Sequence, residues 1–172
     1  MAGLYEDRDA RLRDGAALME PVTREPRKGG LSPAAEEVLR AIVPVVLGSL
    51  LPADRDTRER AIDDAMWALD DYIAHLSLPV QGQARMLLGL LHSLPARVLL
   101  LGTTKRWRDA PAERVEAFLR RARHSRVLLL RRIYDSLQSM TVIAWFDLPI
   151  AWEAIGYPGP PVERRFHQGY EA

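Results

Sequence analysis

The chain contains no cysteine, and this absence is the most informative feature of its composition. Without cysteine the protein has no disulfide, no thiolate metal ligand, no iron–sulfur cluster and no cysteine nucleophile. The sequence also lacks a glycine-rich phosphate loop, a Gly-x-Ser-x-Gly turn and a dinucleotide-binding fingerprint. We therefore predict no catalytic residues, no metal and no cofactor in this chain.

Long apolar runs and a charge bias are missing as well. The most apolar run, 41–51, covers about eleven residues and contains Pro44, whereas a membrane-spanning helix needs about twenty. The net charge is only +1, so bulk electrostatics favours neither nucleic acid nor an anionic membrane, and we expect neither nucleic-acid binding nor a membrane span. The first thirty residues contain no apolar stretch typical of a signal peptide. We expect a cytoplasmic protein, or a periplasmic one if a leader is missing.

The sequence instead contains a series of helical patterns. Apolar residues recur at spacings of three and four in the segments 33–51, 56–76, 79–101, 110–122 and 127–146, and a short segment follows at 149–155. No convincing strand pattern is present. We predict an all-α fold, a single-domain irregular helical bundle of about five to six helices. Prolines, glycines and charges at both ends predict a mobile N-terminal arm at 1–30, a helical domain at 31–156 and an extended C-terminal tail at 157–172.

Local signals predict where several helices begin and end. Ser32 before Pro33 is typical of a helix start. Asp56 with Glu59 three positions later predicts a capping box for the second helix, and Pro95 predicts a break after the third. The apolar stripe predicted for the third helix comprises Met86, Leu87, Leu90 and Leu91.

Two further predictions concern packing. Gly48, Gly82 and Gly89 lie within helical patterns, where glycine is unfavourable, so we expect them to allow close approach of neighbouring helices. The segment 127–146 is apolar almost all round, which predicts a central helix covered by its neighbours, with Trp145 and Phe146 in the core.

A metal site is one alternative hypothesis. Asp64, Asp71 and His75 are separated by seven and four residues, a spacing that stacks them along one face of a helix. Such a face is either solvated or the centre of a stand-alone metal-binding or hydrolytic enzyme. Helical di-metal proteins draw ligands from several helices, and no other predicted helix supplies a pair of inward carboxylates.

The charges are unevenly distributed along the chain. Segment 105–132 has ten Lys or Arg and three acids, and segment 54–71 has seven acids and three Arg. The arginine-rich part is compatible with a solvated surface, a docking surface or a nucleic-acid-binding regulator, although it lacks aromatic platforms for bases. Its arginines are Arg120, Arg121, Arg123, Arg126, Arg131 and Arg132.

Aromatic residues are concentrated near the C-terminus, and the same region carries a family resemblance. The sequence reads Arg-Arg-Ile-Tyr-Asp-Ser-Leu-Gln-Ser-Met at 131–140, Ala-Trp-Phe-Asp-Leu-Pro at 144–149 and Trp-Glu-Ala-Ile-Gly-Tyr-Pro-Gly-Pro at 152–160. Together with helices that open at Leu31-Ser32-Pro33 and end at Leu50-Leu51-Pro52 and Leu76-Ser77-Leu78-Pro79, this pattern resembles the small subunits related to gluconate 2-dehydrogenase subunit 3. The resemblance covers about 31–161, and only the Ile-Gly-Tyr-Pro-Gly-Pro portion is specific.

This resemblance implies a helical accessory subunit without a cofactor of its own. Its partner would be the large subunit of a FAD-dependent dehydrogenase of the glucose–methanol–choline class, in some complexes beside a cytochrome as electron acceptor. Members of the family often carry a twin-arginine leader, whereas here Arg27-Lys28 is followed by Gly29-Gly30. The residues expected to bind the partner are Arg131, Arg132, Trp152, Tyr157, Pro158, Pro160, Phe166 and Tyr170.

Overall fold

The computed structural model describes residues 29–157, except the side chains of Glu153 and Ala154. This part of the chain is all-α, as predicted, and contains no strand. The predicted arms fall mainly on 1–28 and 158–172, outside the described residues. The described helices are α1 (Pro33–Leu47), α2 (Arg55–His75), α3 (Leu78–His92), α4 (Leu94–Leu101), α5 (Ala112–Arg123), α6 (Leu128–Phe146) and α7 (Pro149–Ala154).

The seven described helices, against five or six predicted, include two short ones, and one of these separates from the longer pattern at 79–101. Ser93 ends α3 and caps α4, because its hydroxyl accepts from the Ala96 amide N–H just after Pro95. The predicted break at Pro95 is thereby confirmed. The short segment that begins at Pro149 forms α7.

Of the two helix starts predicted from capping residues, one agrees with the structure. Ser32 caps α1, and its hydroxyl accepts from the Ala35 amide N–H at 3.2 Å. The predicted capping role of Asp56 is wrong, because Asp54 occupies the N-cap of α2 and its carboxylate accepts from the Thr57 N–H at 2.9 Å. Asp56 lies in the first turn instead.

Helix α1 is the centre of the bundle. It packs against α2, α3, α5 and α6 and also against the 3-10 turn Trp107–Asp109. The prediction that 127–146 forms the covered central helix is wrong, since α6 buries one face and leaves Ile143 and Phe146 exposed. Trp145 is completely buried, as expected, whereas Phe146 is not part of the core.

The close-packed glycine is Gly30, which lies just before α1. A Cβ on Gly30 would come within 2.9 Å of the Ala74 backbone nitrogen and closer still to the Asp70 carbonyl oxygen. The packing role predicted for Gly48, Gly82 and Gly89 is wrong, because no atom lies within 4 Å of a Cβ placed on any of them.

The buried Asp70 carboxylate reinforces this contact between the start of α1 and α2. One oxygen accepts from the Leu31 amide N–H at 2.8 Å and the other from the Gly29 N–H at 3.1 Å. Asp70 thus joins backbone segments about forty residues apart in sequence, and Gly29 and Gly30 are tied to the helical body.

Trp107 is a core residue in a segment that the sequence presents as a polar turn. Its ring is completely buried and packs edge-to-face against Phe118, with ring centroids 6.0 Å apart. Its indole N–H donates to the Leu91 carbonyl at 2.8 Å, near the C-terminal end of α3. The hydrogen bond satisfies a carbonyl in the last turn of that helix.

Candidate partner-binding surfaces

Trp152 organises the turn where α6 meets α7. Its indole N–H donates to the Phe146 carbonyl at 2.7 Å, and its ring lies edge-to-face with Tyr157, with centroids 6.0 Å apart. The Tyr157 amide N–H in turn donates to the Trp152 carbonyl at 2.8 Å. These three contacts tie the end of α6 to the last described residue.

Gly156 allows the chain to turn at this point. Its φ of 69° lies in the left-handed region, which glycine adopts without strain and which commonly ends helices. The turn leaves a set of exposed apolar side chains around Trp152, which we call the α6–α7 corner. It comprises Ile143, Phe146, Ile155 and Tyr157.

The structure divides the predicted partner-binding residues into two groups. Trp152 and Tyr157 meet at the α6–α7 corner. Arg131 and Arg132 are exposed in the first turn of α6, about 20 Å along the helix from Phe146. Pro158, Pro160, Phe166 and Tyr170 lie outside the described residues.

Part of the arginine-rich stretch has an internal role that the sequence analysis missed. Arg114 donates to the carbonyls of Leu101 and Gly102, at 3.1 and 2.6 Å, and Arg121 donates to the Leu100 carbonyl. Both guanidinium groups thus satisfy carbonyl groups at the C-terminus of α4, where positive charge is favourable. The seven-residue spacing of these arginines on α5 is the sequence feature consistent with a shared helix face.

Other arginines of this stretch also have neighbours within the described residues. Arg120 lies 3.6 Å from a Glu116 carboxylate oxygen, and the Arg123 guanidinium lies 6.0 Å from the centre of the Tyr134 ring. These residues border a groove of about 330 Å³ between α1, α5 and α6. Their contacts favour a mixed-charge helical surface over a continuous track for a phosphate backbone.

The acidic face of α2 does not bring all three predicted metal ligands together. His75 Nδ1 lies 3.2 Å from an Asp71 carboxylate oxygen, and both side chains are partly exposed. Asp64 lies about two turns away and lines a different groove with Thr57. Within residues 29–157, no group of three or more His, Asp or Glu side chains is placed to hold a metal ion. The stacked arrangement of Asp64, Asp71 and His75 therefore gives no convergent ligand set.

The apolar stripe predicted for α3 is correct for two of its four residues, because Leu91 is buried and Leu87 packs against the core. Ala84, Leu88 and Leu91 are buried, whereas Met86 is 73% exposed and Leu90 54% exposed. The exposed apolar residues continue along α4, and together they form what we call the α3–α4 surface. It comprises Leu78, Met86, Leu90, Leu94, Val98 and Leu99.

The lengths and apolar compositions of the described helices also bear on whether one of them could span a membrane. Among the described residues, no single helix is long and apolar enough to span a membrane. Helices α3 and α4 meet at an angle of 71°, and only the two together have the length and apolar composition of a membrane span.

No protein-family model, curated protein or solved structure matches this chain.

Proposed function

We propose that this chain is a non-catalytic accessory subunit that binds and stabilises the large subunit of a FAD-dependent dehydrogenase of the glucose–methanol–choline class. The observation that carries this proposal is the α6–α7 corner. Ile155 and Tyr157, both about half exposed, belong to the Ile-Gly-Tyr-Pro-Gly-Pro motif on which the family resemblance depends. Exposed apolar and aromatic side chains around a structured turn are typical of a protein-docking site.

The hydrogen bonds at the corner support a binding role because they hold its shape in advance. Trp152 is hydrogen-bonded to Phe146 and packed against Tyr157, so little side-chain freedom remains to be lost when a partner covers the corner. Arg131 and Arg132 would contact the partner at the N-terminal end of α6. Because both side chains are exposed, their charges would affect the association rate more than the affinity.

The chemistry would belong entirely to the partner. The FAD of the large subunit would accept a hydride from an alcohol or sugar carbon, and a cytochrome or another acceptor would then take the electrons. The contribution of this chain would be thermodynamic. Because it would bind the folded large subunit and not the unfolded one, it would shift the folding equilibrium of the large subunit toward the native state.

Co-purification tests the proposal. The full chain carries an affinity tag and is co-expressed with each large subunit of a glucose–methanol–choline-class flavoprotein from the same genome. We expect the flavoprotein to co-elute with flavin absorbance, and we expect the corner variant Ile155→Ser/Tyr157→Ser to reduce co-elution by about tenfold or more.

The matched control is Leu90→Ser/Leu99→Ser, the α3–α4 variant, which also removes two exposed apolar side chains. It should retain the flavoprotein as the unmodified chain does. The proposal fails if the chain elutes without flavin and the large subunit is equally stable and active without it.

A further inference from the structure

The α3–α4 surface is apolar over almost all of its exposed positions. On α3 the exposed residues are apolar or glycine except Gln83 and Arg85, and on α4 every exposed residue is apolar. Leu78 and Leu99, at the two ends of this surface, are 82% and 80% exposed. Isolated exposed leucines are ordinary, but a continuous series on two successive helices indicates a binding surface.

The charged residues in the chain segment that contains this surface are basic. From Leu76 through Arg108 the chain contains no Asp or Glu. The basic residues of the same segment are Arg85, Arg97, Lys105, Arg106 and Arg108. The net charge of +1 for the whole chain conceals this local excess, because the acids are concentrated elsewhere.

Basic side chains also lie beside the apolar residues in space. The Arg121 guanidinium donates to the Leu100 carbonyl, next to the exposed Leu99, and Arg114 binds the Leu101 and Gly102 carbonyls. Arg85 occupies the flank of α3 between its buried and outward faces. Positive charge therefore lies next to the apolar surface at Arg85 and at the C-terminal end of α4, whereas Glu37 lies 3.4 Å from His92 at the C-terminal end of α3.

The side-chain composition of the surface favours a fluid occupant over a rigid one. The surface has no aromatic residue, since 78–101 contains no Phe, Trp or Tyr. Tight protein interfaces depend on aromatic or arginine anchors in fitted pockets, whereas lipid chains adapt to aliphatic side chains of any outline.

From the apolar face and the positive charge next to it we infer that the α3–α4 surface binds the surface of an anionic phospholipid bilayer. The aliphatic side chains enter the boundary between headgroups and acyl chains, and the exposed Arg85 and Lys105 side chains contact the lipid phosphates. The helices remain part of the bundle, because Ala84, Leu88 and Leu91 stay buried. This inference does not depend on the flavoprotein proposal.

Vesicle co-sedimentation of the full chain tests the inference. We expect the protein to sediment with vesicles of phosphatidylglycerol and phosphatidylcholine and to bind weakly to phosphatidylcholine alone. The α3–α4 variant Leu90→Ser/Leu99→Ser should lose about tenfold or more of the affinity. Raising the salt to about 0.5 M should weaken binding to the anionic vesicles, since it screens the headgroup attraction.

A charge variant separates the two contributions. Arg85→Gln/Lys105→Gln removes two exposed positive charges, and it should lower the affinity for the anionic vesicles by about 10- to 30-fold without changing weak binding to phosphatidylcholine. The corner variant Ile155→Ser/Tyr157→Ser is the control and should bind as the unmodified chain does. Thermal unfolding of each variant verifies that the fold is intact.

Three results would overturn the inference. The first is that the full chain does not sediment with anionic vesicles. The second is that the α3–α4 variant binds them as the unmodified chain does, or that the corner variant loses as much. The third is a dimer in sedimentation velocity that the α3–α4 variant abolishes, since a second copy of the chain would then occupy the surface.

Discussion

At the scale of single residues, Asp70 joins the start of α1 to α2 through its buried carboxylate. A buried carboxylate is costly unless hydrogen bonds compensate for lost hydration, and here the amide N–H groups of Gly29 and Leu31 supply them. Gly30 lies between these donors, where its missing side chain allows the backbone to approach α2. The start of α1 is therefore held to α2 by one carboxylate and one glycine.

The substitution Asp70→Asn tests this anchor. One amide oxygen can replace only one of the two acceptors, and the new NH₂ group faces a backbone N–H, so we expect the free energy of unfolding to fall by about 1–3 kcal/mol. Denaturant titration measures the change. Asp63→Asn is the control on the same helix, because its pair with Arg40 is half exposed, and it should cost less than about 1 kcal/mol. Equal effects would contradict the anchor.

Asp54 gives a pH-dependent contribution at the start of α2. The Thr57 hydroxyl and amide N–H donate to its carboxylate and lower its pKa below the ordinary value of 3.8. A lowered pKa in the folded state stabilises the fold above the unfolded-state pKa, and this contribution disappears as the pH falls through the folded-state value.

Comparison with Asp54→Asn isolates this charge, because asparagine is an equally good N-cap residue. The unmodified chain should be the more stable protein at neutral pH, and its advantage should begin to fall near the unfolded-state pKa of 3.8 and disappear as the pH falls through the lower folded-state pKa. Unfolding titrations across this pH range give the measurement. An advantage that persists into strong acid would show that the Asp54 charge is not its source.

At the scale of helices, the last turns of α3 and α4 depend on side chains from later parts of the chain. Trp107 satisfies a carbonyl of α3, and Arg114 and Arg121 satisfy carbonyls at the end of α4. These contacts connect the bent pair α3 and α4 to α5 and hold the α3–α4 surface against the bundle.

The substitution Trp107→Phe should show how much this connection contributes. It keeps an aromatic ring against Phe118 but removes the indole donor and leaves the Leu91 carbonyl buried without it, so we expect a loss of about 1–3 kcal/mol of unfolding free energy. Hydrogen exchange should become faster in the last turn of α3 before it does in α1. A variant as stable as the unmodified chain would contradict this role.

At the scale of the whole molecule, the described residues leave apolar side chains exposed outside a core centred on α1, at the α6–α7 corner, at the α3–α4 surface and at Val127, Leu128 and Leu129. The first two of these sets differ in chemistry. The α6–α7 corner is aromatic and held by hydrogen bonds, whereas the α3–α4 surface is aliphatic and lies next to positive charge. The difference in chemistry is why we propose a protein partner for the first and a lipid surface for the second.

The stabilising role predicts a concentration-dependent effect on the flavoprotein. At a concentration of this chain about 100 times the dissociation constant, the large subunit should gain about 2.7 kcal/mol of stability. Thermal unfolding of the large subunit at increasing concentrations of this chain measures the gain. The corner variant should require a higher concentration for the same shift, and a flavoprotein whose unfolding temperature never changes would exclude stabilisation.

The family resemblance and the partner residues remain predictions of the sequence. The structure supplies the geometry of Trp152 and Tyr157 and separates them from Arg131 and Arg132, whereas the other four predicted residues lie outside the part that it describes. The sequence analysis did not identify the α3–α4 surface, because a residue pattern does not show which apolar side chains remain uncovered.

The sequence alone determined the features that depend on neighbouring residues. Ser32 with Pro33 begins α1, Pro95 follows the break before α4, and Gly102 ends α4 in the left-handed conformation, because caps and φ preferences act over a few residues. Tertiary structure alone decided which face of α3 is buried. Helix α3 has apolar side chains on more than one of its own faces, so its periodicity does not distinguish Leu88 from Met86. Only packing against α1 selects the buried face.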